Sequence, residues 1–190
     1  MKQPVAILGG VSRGTLLQVC LPLLAVGVVV LVLRARGLSP RRELALQPVL
    51  PATLLRWVAV FVVLVLVEEL VGPLLGSPPV EPWGTRYGLL ERIVRVAGMI
   101  VAAPVAEELM FRGLLFSRLS RTRLGVAGAV VATAALFAVL HVQYGFPELG
   151  FILVDGVFFG VARAATGSVL VPLACHVLGN AYAAFERLAG

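Results

Sequence analysis

Six apolar runs, roughly 14–33, 53–75, 92–117, 125–142, 149–165 and 168–186, take up most of this 190-residue chain. Arginines and Gly/Pro clusters cut them apart. A run of about 20 apolar residues matches the ~30 Å of hydrocarbon in a bilayer. Inside lipid every backbone N–H and C=O must be bonded within the protein, which a helix does segment by segment. Charged residues make up 14% of the chain, against about 25% in a soluble domain. The expected fold is therefore all-α: a polytopic membrane protein, a bundle of about six transmembrane helices, forming one transmembrane domain over residues 1–190.

The polar remainder fits that reading. The formal charge of +6 comes mainly from fifteen arginines, and their place between apolar runs suits membrane-flanking loops rather than nucleic-acid binding. Nine basic residues fall in loops after the first, third and fifth runs and six on the opposite side; the positive-inside rule then places both termini outside the cytoplasm. The first run, preceded by Lys2 and Arg13, is too long for a signal core and lacks a small-x-small cleavage site, so it reads as a retained helix. Trp83 and Tyr87 suit an interfacial belt. Ser168, just after Thr166-Gly167, is placed to cap the last helix. Cys20 and Cys175 read as two small buried hydrophobes without a disulfide or metal framework.

Against this apolar background, Glu107 and Glu108 stand side by side inside the third run. A carboxylate at membrane depth is costly and normally has a partner and a task. Glu108 and Arg112 are four apart on one helix face, so an ion pair is available, and a purely stabilising pair would account for both. Glu107 points about 100° away and stays free of it. Pro104, three residues before Glu107, is expected to free the carbonyl of Ile100 and bend the helix. Two buried carboxylates side by side are also the arrangement by which a general base is tuned.

The two histidines, His141 and His176, lie on other runs. Phe137 and His141 are four apart, as are His176 and Asn180, so each pair shares a helix face. Glutamate, two histidines and asparagine on three helices of a bundle supply a base, an acid and donors for an oxyanion, the requirements of amide hydrolysis. No serine or cysteine stands beside them in a nucleophile motif, and adjacent helix positions point apart, which disfavours a Cys175–His176 dyad. Attack by an activated water is the simplest chemistry. Zinc is the competing account, since Glu and His are ordinary zinc ligands, although the chain has no His-Glu-x-x-His. At ~1.5 Å per residue, Glu107 lies about 16 Å from the basic loops and His141 about 27 Å from Arg123. Either the fourth helix starts near Gly128 or the site lies in the outer half of the bilayer. Glu68 and Glu69 read as an interfacial pair near the end of the second helix.

In order along the chain, Glu107-Glu108-x-x-x-Arg112, Phe137-x-x-x-His141 and His176-x-x-x-Asn180 resemble the motifs of the CAAX protease and bacteriocin-processing (CPBP, or Abi) family, and Phe111-Arg112-Gly113 and Thr166-Gly167-Ser168 are similar to its pattern too. The resemblance covers a core of about 104–180 and implies a glutamic intramembrane endopeptidase. It implies that Glu107 activates water, that His141 helps hold it, that His176 and Asn180 stabilise the oxyanion or position the carbonyl, and that Glu108 and Arg112 order the site. It implies no cofactor, and a membrane-associated or transmembrane peptide as substrate. Prenylated C-termini, bacteriocin or pheromone precursors and C-terminal sorting helices are all allowed. The expected location is a multi-pass position in a bacterial or archaeal cell membrane. Two alternatives use the same residues: a zinc-dependent membrane peptidase, and a non-catalytic bacteriocin-immunity or carrier protein.

Overall fold

The computed structural model describes residues 7–8, 10–84 and 86–189. A minimal hairpin, β1 (Ile7–Leu8) against β2 (Val11–Ser12), leads into helix α1 (Arg13–Ala35). Ser12 caps that helix, its Oγ accepting from Thr15 N–H at 3.3 Å, as N-terminal serines do. A short turn, α2 (Pro40–Glu43), precedes α3 (Pro51–Val71), which starts on a proline and stops at Gly72-Pro73. Proline is pre-set for the first helical position and cannot continue a helix that needs its N–H.

The next element is a continuous helical rod, α4, over 89–119. It alternates ordinary α turns with two π segments, Gly98–Ala102 and Leu109–Leu115. Helices α5 (Gly125–Val139), α6 (Glu148–Thr166) and α7 (Leu170–Ala189) complete the chain. Gly167 turns the α6–α7 corner at φ +68°, in the left-handed region glycine enters at no steric cost, and the Ser168 hydroxyl accepts from Leu170 N–H at 3.1 Å. The expected cap is in place. Each of the six apolar runs lies mainly on a helix, although the fourth runs past the end of α5 at Val139.

Among the described residues three helices are long and apolar enough to cross a membrane: Arg13–Ala35, Pro51–Leu75 and Glu148–Thr166, with mean hydropathies of 2.8, 2.4 and 1.6. Only 6% of the most apolar stretch of the first and 11% of that of the second is buried in the protein. Their leucines and valines point outward, the arrangement of an all-α membrane protein and not of a water-soluble core. Cys20, expected to be buried, is exposed on this outward surface of α1, whereas Cys175 is buried against Phe61 and Phe159.

Small residues bring the elements close. A Cβ at Gly156 or Gly160 of α6 would lie 3.1 Å from Ala134 or Val130 of α5, so these helices meet nearly backbone to backbone. At Gly98 a Cβ would fall 2.6 Å from Val19 Cγ2, which presses α1 onto the first π segment of α4. The rod is thus gripped by α1 on one side and by α7 and the α5–α6 pair on others.

A polar clasp fixes the start of the rod outside its apolar run. Glu91 accepts from Ser12 Oγ and Thr15 Oγ1, both at 2.8 Å, and pairs with Arg95 at 3.1 Å. Burial pushes the Glu91 carboxyl up, but these donors outweigh it and hold its pKa below the usual carboxylate range. A depressed folded-state pKa contributes stability that is present above the unfolded value, about 4.3 for Glu, and is lost as pH falls through the folded value. Glu91→Gln should therefore lower the thermal midpoint at pH 7, and the gap to wild type should close on acidification to the folded pKa and below. Thermal unfolding in detergent across that range measures it; a gap that widens on acidification contradicts the assignment.

Candidate active site

The glutamate pair is placed by a break in helical register. The last bond of the first π segment runs from Ala103 N–H to Gly98 O, five residues back. In that register the next carbonyl, Met99 O, faces the nitrogen of Pro104, which has no hydrogen. The π spacing thus frees the carbonyl of Met99, one residue before the Ile100 carbonyl that α spacing sets against Pro104. Asn180 of α7 takes it, donating from Nδ2 at 2.7 Å. The second π segment repeats the device. Its last bond is Phe116 N–H to Phe111 O, and return to α spacing strands the following carbonyl, Arg112 O. Arg163 of α6 takes that one through Nε at 3.0 Å and also donates to Ser117 Oγ at 3.1 Å.

Between these breaks sit Glu107, Glu108 and Arg112. Glu108 and Arg112 are both fully buried, with Arg112 Nη1 donating to Glu108 Oε1 at 3.0 Å and Nη2 to Gly156 O at 2.9 Å. The guanidinium lies 4.8 Å from the Phe137 ring, 5.3 Å from Phe159 and 5.8 Å from Phe111, a ring of faces that favours a cation. Glu108 Oε1 also accepts from His176 Nδ1 at 3.0 Å. Glu108 Oε2 and Arg112 Nε have no hydrogen-bond partner among the described residues.

His176 is consequently fixed in ring plane and tautomer. A carboxylate accepts, so Nδ1 carries the hydrogen and Nε2 is left facing Glu107 Oε2 at 3.6 Å. Phe159 stacks on the ring at 5.1 Å and Phe137 meets it edge-on at 5.8 Å. Glu107 and Nε2 present two acceptors to one another, an arrangement that holds a shared proton or a bridging hydrogen-bond donor and is too long for a direct bond.

His141 reaches the same place from α5. That helix starts at Gly125 and ends at Val139, so the later start near Gly128 falls away, and His141 lies in the turn just beyond the helix. Its Nδ1 donates to Phe137 O at 2.8 Å, leaving Nε2 with its lone pair. The Phe137 ring lies 4.6 Å from His141 and 5.8 Å from His176, so both histidines flank one phenylalanine. Glu107, His141, His176 and Asn180 line a single cavity of about 650 Å³. Glu108 and Arg112 stand behind it. Asn180 has one amide hydrogen on Met99 O and keeps a second, with Oδ1, for other use.

The cavity also holds acidic residues that the sequence reading did not assign to the site. Asp155 and Glu148 line it, and so do Glu68 and Glu69, of which Glu68 is half-buried in the wall. Asp155 Oδ1, Glu148 Oε1 and Oε2, and Glu68 Oε1 are buried with no partner among the described residues. Asp155 stands alone in an apolar helix, the same signal that singled out Glu107. Among the described residues no group of three or more His, Cys, Asp and Glu side chains is arranged to hold a metal ion.

The brace is expected to be structural as well as functional. Removing one partner of a buried, hydrogen-bonded ion pair costs about 3–5 kcal/mol, so Arg112→Ala should cut folded yield and lower the unfolding midpoint sharply. Size-exclusion profiles and thermal unfolding in detergent measure this; wild-type yield and midpoint in Arg112→Ala would show the brace to be dispensable.

Residues 89–182 match the family described as Rce1-like, type II CAAX prenyl endopeptidase. That stretch begins at the first residue of α4, ends within α7, and takes in Glu107, Glu108, Arg112, His141, His176 and Asn180. No curated protein and no solved structure matches the chain. Over residues 89–182 this chain belongs with the Rce1-like family of type II CAAX prenyl endopeptidases, as its three ordered motifs imply.

Proposed function

We propose that this protein is a multi-pass intramembrane endopeptidase that hydrolyses a peptide bond in a membrane-associated substrate with water activated by Glu107. The observation that carries the proposal is the isolation of Glu107. It lines the cavity and, among the described residues, pairs with His176 Nε2 alone, at 3.6 Å, while its neighbour Glu108 is committed to Arg112 and His176.

In this reading a water lies between Glu107 and the free Nε2 of His141. Glu107 takes one proton from it, and the hydroxide adds to the scissile carbonyl carbon while the C=O π pair moves onto oxygen. The oxyanion is met by the second Asn180 amide hydrogen, whose direction is fixed by the first on Met99 O. His176, held by Glu108 and Phe159, is a second group able to donate there once Nε2 carries a proton. Collapse of the tetrahedral carbon expels the amine, which receives the proton held by Glu107. One water is consumed; one carboxylate and one amine terminus are formed. Glu108 and Arg112 position His176 and do not touch the substrate. The step requires no cofactor.

Glu107→Gln should abolish cleavage, by about the 10²–10⁴-fold typical of a lost general base, while leaving the thermal unfolding midpoint close to that of wild type, since the amide keeps the side chain's shape. Product formation from a panel of membrane-associated peptides, read by mass spectrometry with and without a chelator, tests it. Chelator-resistant cleavage that survives in Glu107→Gln refutes the glutamate mechanism. Chelator-sensitive turnover restored by zinc favours a metallopeptidase, and absence of any product with folded wild type favours a carrier or immunity protein.

A further inference from the structure

On the other side of the Phe111–Phe137 wall, and sharing no lining residue with the catalytic cavity, lies a second groove of about 700 Å³. Helices α1, α4 and α5 form it. Its walls are apolar along their length, with Val28, Val32, Phe111, Leu114, Leu136 and Leu140 among them, and two of its residues, Arg36 and Arg118, are cationic. Arg36, which caps the C-terminal end of α1, lies eight residues beyond Val28, and Arg118 eight residues beyond Met110 on α4. At ~1.5 Å per residue the groove therefore runs about 12 Å along both helices away from its charged end.

Both arginines are exposed. Arg118 is partly engaged, donating from Nη2 to Glu43 Oε2 at 3.3 Å, but this pair is open to solvent and leaves the other guanidinium hydrogens available. Arg34, Arg41 and Arg42 are exposed near the same end. An apolar channel of ligand size that terminates in a pair of guanidinium groups is complementary to one kind of molecule: an acyl chain carrying an anionic phosphate head. An apolar transmembrane peptide would bring no negative charge to Arg36 and none to Arg118 beyond Glu43, and a zwitterionic lipid would supply a compensated one.

We infer that this groove is a binding site for an anionic phospholipid, the acyl chain lying between α1, α4 and α5 and the phosphate held by Arg36 and Arg118. The site is separate from the proposed catalytic one but backs directly onto it. Phe111 forms the groove wall and meets Phe137 edge-on at 5.5 Å, and Phe137 in turn contacts both histidines.

The test is native mass spectrometry of the full-length protein in a neutral detergent, titrated with phosphatidylglycerol or with phosphatidylcholine of identical chains. One phosphatidylglycerol per protein should be retained at least tenfold more tightly than phosphatidylcholine. The Arg36→Gln/Arg118→Gln double variant should lose the preference, and Leu136→Trp, which fills the groove, should lose the bound lipid. Arg121→Gln, outside the groove, should behave as wild type. Equal retention of the two lipids, or a preference that survives in the double variant, overturns the proposal. Because both arginines are exposed, the double variant tests the site even if Leu136→Trp does not fold. The readout involves no proteolysis, so the result stands apart from the catalytic reading.

Discussion

A guanidinium without water must be matched at every turn, and the interior of this bundle is organised around doing so for Arg112. Glu108 neutralises it, the carbonyl of Gly156 accepts from it, and three phenylalanine faces surround it. Each partner then fixes something else. The Gly156 carbonyl is reachable because Gly156 lets α6 pack against Ala134. Glu108, held by Arg112, has its bonded oxygen aligned to fix His176. Removing either charge strands the other, which is why such pairs are costly to break even where they add little net stability.

The second organising device is the rod's alternation between α and π spacing. A uniform α-helix would satisfy its own carbonyls and give α6 and α7 nothing to hold. Each π exit instead releases a carbonyl that a side chain from another helix takes: Asn180 on Met99 O and Arg163 on Arg112 O. These bonds are strong where competing water is scarce. They also place the two helices in register with the glutamates, so that a local backbone irregularity on one element sets the distances among residues 70 positions apart. Irregular backbone is tolerated at membrane depth only where the protein itself supplies the missing partners, and here it does.

Much of this was legible before the fold was known, because lipid imposes a strict rule on charge. Glu107, Glu108 and Arg112 stood out as ionisable groups in an apolar run, and the spacing of His141 and His176 to Phe137 and Asn180 marked two further faces. The separation of Glu107 from the Glu108–Arg112 pair followed from helix geometry alone. The role of Glu108 as a bridge to His176 did not, since it depends on how α7 packs across α4. Nor could helical periodicity reveal the π segments; a rule built on α spacing pointed to the Ile100 carbonyl and gave no sign of the Met99 carbonyl that Asn180 takes. Asp155 was visible by the same reasoning that found Glu107, whereas the inward turn of Glu68 depends on the packing of α3 against its neighbours. The end of α5 at Val139 depends on a turn that hydropathy does not mark.

In the proposed mechanism Glu107 acts as a base toward water and not as a nucleophile toward the peptide. A single turnover in ¹⁸O-enriched water, with protein in excess over a cleavable substrate, separates the two directly. Direct attack by water predicts one ¹⁸O in the new carboxylate of the product and none in the Glu107 side chain. Product that leaves with unlabelled oxygen, together with label recovered in the Glu107 carboxyl group, would mean a covalent acyl intermediate and would contradict the account.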